Sequence, residues 1–94
     1  MIRWLSKARA KLEAELQNIA AEDAAAAKRI ANVVKSRTET LSQFPESGRP
    51  GRVSGTRELV LAGLPYILPY RVRDGGVVEI LRFFHTAQKP PNRW

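Results

Sequence analysis

The chain has 94 residues, no cysteine, one histidine and a formal net charge of +7. That length fits one domain, expected to span residues 1–94, which buries roughly 60–65 % of its unfolded surface and has little stability to spare. The missing thiols exclude disulfides and thiolate metal sites and suit a reducing compartment. Ile2-Arg3-Trp4-Leu5 predicts a short edge strand at the start of the chain. From Ser6 the pattern is helical: Ala8, Leu12, Leu16 and Ile19 fall on one stripe, with Lys7, Lys11, Glu15 and Asn18 mostly off it. Ser6 is the expected N-cap. A break is expected at Glu22-Asp23, with Asp23 capping a second helix that opens on Ala24 to Ala27, the strongest helix formers. Its stripe continues through Ile30, Val34 and Leu41 to Phe44, and Pro45 ends it.

Glu46 to Arg52 is rich in turn residues and reads as a loop. The period then changes. Thr56 to Leu61 predicts a strand, Ala62-Gly63-Leu64-Pro65 its connection, Tyr66 to Arg73 a second strand and Val77 to His85 a third. Asp74-Gly75-Gly76 is a strong turn signal between the last two. Pro69 cannot donate to a ladder, so a bulge or a missing bond is expected beside it. With Arg73 facing Val77, one face carries Val72/Val78, Tyr70/Ile80, Leu68/Arg82 and Tyr66/Phe84. The other carries Arg71/Glu79, Pro69/Leu81 and Ile67/Phe83, and ends at His85. The first face is largely apolar and suits the helices. In this register Arg71 and Arg82 point to opposite faces. The expected architecture is α+β: a helical hairpin on one face of a small antiparallel sheet, in the order β-α-α-β-β-β, with residues 86–94 as an irregular tail.

Charge is concentrated late. Residues 1–46 carry 8 Lys/Arg against 6 Asp/Glu, and residues 47–94 carry 8 against 3, so the net charge rises from +2 to +5 between the halves. The later half is dominated by arginine, whose planar fork suits phosphate and carboxylate. Nucleic acid or an acidic protein is the natural partner. Arg49, Arg52 and Arg57 around the first strand after the helices, together with Arg73 and Lys89, are the expected contacts to a target or partner. No stretch approaches the ~20 apolar residues of a membrane span. Met1 to Lys7 lacks the apolar run of a signal peptide, so a cytoplasmic protein without membrane contact is expected.

Few chemistries remain. No glycine-rich loop opens a helix, one histidine makes a metal site improbable, and only Glu58, Asp74 and Glu79 are acidic after residue 46. No cofactor is expected. Arg71, Arg82 and His85 form the one set suited to metal-free RNA cleavage, in which a base takes the 2′-hydroxyl proton and arginines stabilise the developing phosphorane charge. A lone histidine that ends a strand is more often a structural hydrogen-bonding group.

Gly48-Arg49-Pro50-Gly51-Arg52-Val53-Ser54-Gly55-Thr56-Arg57-Glu58-Leu59-Val60 resembles the RelE/ParE superfamily of bacterial toxins. The likeness continues through Pro65-Tyr66-Ile67, Tyr70-Arg71-Val72 and Val78-Glu79-Ile80-Leu81-Arg82-Phe83-Phe84-His85, followed by Gln88. These blocks keep the family's order over most of residues 45–88, and the two helices match its layout. The resemblance implies the toxin of a type II toxin–antitoxin pair, held in a hetero-oligomer by a cognate antitoxin that adds a helix or strand. RelE-like members cut mRNA on the ribosome, whereas ParE-like members poison DNA gyrase. Nuclease members usually carry a tyrosine or further basic residues beyond the last strand, and here no tyrosine follows Tyr70. His85 with Gln88 and a nearby proline resembles ParE-like endings more. Gyrase is therefore the expected target. Metal-independent mRNA cleavage through Arg71, Arg82 and His85 is the alternative, and a non-toxic basic interaction module is the third reading.

Overall fold

Between Ser6 and Gln43 the only residue outside a helix is Asp23. In the computed structural model, which describes residues 1–94, the order is β1 (Ile2–Trp4), α1 (Ser6–Glu22), α2 (Ala24–Gln43), β2 (Arg49–Pro50), β3 (Arg57–Val60), β4 (Tyr66–Val72), β5 (Val78–Ile80) and β6 (Phe84–His85). Asp23 serves both helices. Its backbone is extended, its N–H donates to Ile19 O at 2.8 Å, and its carboxylate accepts from Ala26 N–H at 3.0 Å. Ser6, the expected cap, is instead the first helical residue of α1. Leu5 N–H donates to Ile80 O at 3.0 Å, which keeps the chain extended one residue longer and puts a side chain without a polar atom in the cap position.

The sheet runs β1-β5-β4-β3-β2, with β6 also paired to β4. It is mixed rather than wholly antiparallel, because β1 lies parallel to β5 through Ile2↔Val78, Arg3↔Glu79 and Trp4↔Ile80. No hairpin turn joins β1 to a neighbour, so local sequence does not determine its direction. Part of the expected Glu46–Arg52 loop is also a strand: Arg49 pairs with Glu58 and Pro50 with Arg57. Proline is tolerated there because β2 is an edge and that side of the ladder needs no donor.

Around Asp74-Gly75-Gly76 the expected register is realised, with Val72↔Val78, Arg71↔Glu79 and Tyr70↔Ile80 in place and both glycines at positive φ (78° and 77°). It then slips. Leu81 N–H donates to Pro69 O at 2.8 Å, but Pro69 has no N–H to return. The next pairs are Ile67↔Phe84 and Tyr66↔His85, one residue beyond the continuous register. The single strand expected from Val77 to His85 is thus two strands, β5 and β6, separated by a bulge at Arg82-Phe83. Phe83 turns into the core and stacks on Tyr66 at a centroid distance of 4.5 Å, while Arg82 turns to the opposite face.

The core lies between the helices and one face of the sheet. Ala8, Val34 and Leu41 from the helices meet Leu59, Leu68, Tyr70, Val78 and Ile80. Tyr70 also fixes the segment that follows α2: its hydroxyl donates to Pro45 O at 2.8 Å and accepts from Gly48 N–H at 2.9 Å. The far face carries Arg71, Glu79, Glu58, Pro69 and Leu81. Over it lie Val53, Ser54 and Thr56 of the loop between β2 and β3, and Arg93 and Trp94 of the tail.

Candidate functional site

Two buried glutamates organise the arginines of the far face. Glu58, 2 % exposed, accepts from Arg49 Nε and Nη2 at 3.1 and 2.9 Å on Oε1, and from Arg52 N and Nε at 3.1 and 3.0 Å on Oε2. Burial alone would raise its carboxyl pKa. The hydrogen bonds from Arg52 and Arg49 outweigh that and hold it below its ordinary value. Glu79 accepts from Arg71 Nε at 2.8 Å and Arg73 Nε at 3.0 Å, with Arg3 Nη1 at 3.5 Å. The hydrogen bond from Arg71 is the main cause of its lowered pKa; burial opposes it, and the charges of Arg73 and Arg71 add to it. The expected Arg71–Glu79 pair is therefore part of a row, Arg71–Glu79–Arg3, in register across β4, β5 and β1.

The expected partner-binding arginines divide by how their heads are used. Arg57 Nη1 donates to Glu46 O and Gly48 O at 3.1 and 3.0 Å and fastens the loop that follows α2. Arg49 and Arg73 bond inward yet keep 53 % and 56 % of their side chains exposed, and Arg52 keeps 38 %. Lys89 is exposed in the tail.

The bulge changes how the nuclease candidates sit. Arg71 and Arg82, expected on opposite faces, line one cavity of about 600 Å³ on the far face. Leu81, Val53 and Trp94 supply its apolar wall, and Leu5 to Lys7 at the start of α1 form its rim. Arg82 is held by the tail, its Nε and Nη2 donating to Trp94 O at 3.1 and 2.9 Å. His85 is not among the lining residues. It sits edge-on to Tyr66 of the core at 5.3 Å, and its Nδ1 accepts from Ala87 N–H at 3.0 Å. Tyr66 in turn donates to Glu15 Oε2 at 3.1 Å, and burial raises its pKa, with that hydrogen bond adding to the effect. His85 thus does not line the cavity that Arg71 and Arg82 share, and no Asp, Glu, His or Tyr side chain lines it.

Sequence reasoning passed over Lys7, Arg93 and Trp94 as members of this cavity, and Glu58 as the hub of the β2–β3 hairpin. For Glu58 a signal existed in the residues flanking a glycine-rich turn, since Arg49 and Glu58 come opposite once β2 is a strand. Trp94 offered none, because an aperiodic tail gives no clue to the face it will cover.

A helical hairpin over a small mixed sheet agrees with the layout that the resemblance to RelE/ParE toxins implies. Residues 2–90 match the family model described as ParE toxin of type II toxin-antitoxin system, parDE. The chain is 44 % identical over 91 residues to the candidate toxin Y4kP of Sinorhizobium fredii, covering 96 % of this chain and 92 % of that protein. It is 36 % identical over 85 residues to toxin RelE2 of Caulobacter vibrioides, with coverage of 90 % and 93 %. Among solved structures it is similar to a chain of the chromosomal ParDE TA system from P. aeruginosa, with a TM-score of 0.78, 29 % identity and coverage of 89 % and 92 %. The chain belongs to the ParE toxin family of type II toxin–antitoxin systems.

Proposed function

We infer that this toxin inhibits growth by binding and poisoning DNA gyrase, and that a cognate antitoxin neutralises it. The observation that supports the choice of target is that His85 does not line the cavity that Arg71 and Arg82 share. Proton transfer in metal-free RNA cleavage needs an acid or base within hydrogen-bond reach of the reacting oxygens, and the arginine cavity is lined by no Asp, Glu, His or Tyr side chain, with Lys7 at its rim the one titratable side chain besides the arginines. What the face offers is rigid guanidinium donors, which suit binding. Arg49, Arg52, Arg73 and Lys89 are its exposed contacts for an acidic surface on the target or the antitoxin.

Antitoxin partnership draws support from the P. aeruginosa neighbour, a chain of a ParDE TA system, and from apolar surface left open on the free chain. Phe44 is 62 % exposed beside Val72 and Pro45, which line a depression at the end of α2. Covering such residues gives a partner its hydrophobic contribution. One relative bears the name RelE2, so ribosome-dependent mRNA cleavage is the competing outcome of the test.

Purified protein added to a gyrase supercoiling assay should inhibit it and accumulate cleaved DNA complexes, while induced expression should cause filamentation with stable mRNA. Rapid cleavage of translated mRNA on induction, abolished by Arg82→Ala or His85→Ala, would reverse the assignment to the nuclease reading. Harmless expression at normal protein levels would leave only the non-toxic binding module.

A further inference from the structure

Trp94 stands between two cavities that share cations. The larger is lined by Lys7, Arg71, Arg82 and Arg93, and the smaller, of about 380 Å³, by Lys7, Lys11 and Arg82. Two of these cations are compensated: Lys11 lies 3.2 Å from Glu15 and Arg71 2.8 Å from Glu79. Lys7 and Arg93 form no ion pair with a carboxylate, whereas Arg82 is already engaged by Trp94 O. Two unpaired cations and a third that is only partly engaged converge on one concavity and favour an anion, because low-dielectric walls focus their field.

Independent features of the same cavity agree. The N-terminus of α1 opens at its rim through Ser6 and Lys7, with no acidic residue in the first turn and no side chain capping it, so the first amides and the positive end of the helix dipole are open to an oxyanion. The guanidinium forks match the tetrahedral oxygens of a phosphate group, on which several donors can act at once. Arg82 spends Nε and Nη2 on Trp94 O and still has Nη1 to offer.

We propose that the larger cavity binds a nucleoside polyphosphate, with the phosphates held by Lys7, Arg82, Arg93 and the α1 amides, and the base against the apolar wall of Leu81, Val53 and Trp94. A volume of about 600 Å³ falls within the usual range for small-ligand pockets, roughly 300–1,000 Å³. A free nucleotide fits better than a nucleic-acid strand, because Trp94, packed on Phe84 at a centroid distance of 5.3 Å, closes the path into the second basic cavity. The site is one of binding, its lining holding no Asp, Glu, His or Tyr side chain. It is separate from gyrase or ribosome recognition and stands or falls without either.

The test is a titration of the purified chain with ATP and GTP at physiological salt, read by calorimetry and by tryptophan emission. Adenosine, inorganic tripolyphosphate and a short oligothymidylate serve as comparisons. Saturable 1:1 binding of the triphosphates is expected, with competition by tripolyphosphate and none by adenosine. Lys7→Gln and Arg93→Gln should each weaken it by about tenfold or more, the range for a lost charge-assisted hydrogen bond. Arg29→Gln, the same charge change on exposed α2, should alter it by less than about twofold, as expected of a screened remote charge. Arg82→Gln should be the weakest binder; if it fails to fold, the two exposed variants carry the test. No saturable binding at millimolar nucleotide would overturn the proposal. So would an equal loss in Arg29→Gln, which would mean diffuse attraction to a basic protein. Tighter 1:1 binding of the oligonucleotide than of ATP would refute a nucleotide pocket in favour of a strand site.

Discussion

Replacing Glu58 by glutamine removes one charge from a carboxylate that holds two arginines and the start of the β2–β3 turn. Four hydrogen bonds of 2.9–3.1 Å end on its two oxygens. Glutamine keeps an acceptor for one arginine and places an NH₂ against the donors of the other. Breaking a fully buried ion pair costs about 3–5 kcal/mol. Here the glutamate is buried but its partners are 53 % and 38 % exposed, so both guanidinium groups can return to water. The expected loss is smaller, about 2 kcal/mol, near that of one or two charged hydrogen bonds. In a domain of this size that lowers Tm by about 10 °C. The pH dependence gives a second reading. The folded-state pKa of Glu58 lies below its ordinary value of 4.5, so its contribution is full above the unfolded pKa and is lost as pH falls through the folded one. Urea melts of the native chain and Glu58→Gln should therefore differ most at neutral pH and converge in acid below that folded pKa. A difference under about 0.5 kcal/mol at neutral pH, within the range of an ordinary surface substitution, would refute the hub assignment. So would a gap that persists unchanged into acid.

Tyr70→Phe should destabilise the fold by about 2 kcal/mol, because it leaves the buried Gly48 N–H without an acceptor and frees Pro45 O; chemical denaturation measures it. Gly51→Ala should cost about 1–3 kcal/mol, since a Cβ there comes within 2.8 Å of the main-chain oxygen of Thr56; the same melts serve, and an unchanged midpoint would count against the tight β2–β3 turn. Asp23→Ala removes the cap on Ala26 N–H and should cost about 1 kcal/mol, with faster amide exchange confined to the first turn of α2.

The parts of this fold legible in sequence are those set by local chemistry. Asp23 was readable as a break and cap because a short carboxylate before a run of alanines has one good use. Asp74-Gly75-Gly76 fixed the hairpin register because two successive positive-φ positions demand glycine. Pro69 gave warning of the bulge beside it, but alternation alone could not say where the extra residue enters. That one residue both brings Arg82 to the face of Arg71 and turns Phe83 onto Tyr66. The direction of β1 was illegible for a different reason: its partner is remote in sequence and its three residues carry no turn. The role of Glu58 depends on Arg49-Pro50 becoming a strand, and Gly51 and proline next to it pointed towards loop instead.

The two glutamates bear on what the arginine face is for. Glu58 and Glu79 hold five arginines, Arg49 and Arg52 on one, Arg71, Arg73 and Arg3 on the other, so the two clusters together keep three net positive charges. Neutralisation alone would not need two carboxylates sunk beneath a row of exposed heads. Burying them fixes the guanidinium planes while their outer N–H groups stay in water, and donors fixed beforehand lose less entropy when a partner arrives. Such a face binds by complementarity, and its association should be fast and sensitive to salt. The association rate with an acidic partner should therefore fall as ionic strength rises, and Arg49→Gln or Arg73→Gln should lower both that rate and its salt dependence while leaving dissociation nearly unchanged. If either substitution instead speeds dissociation with no effect on association, the arginine in question sits in a desolvated contact. The face would then recognise its partner through a few buried anchors rather than through its field.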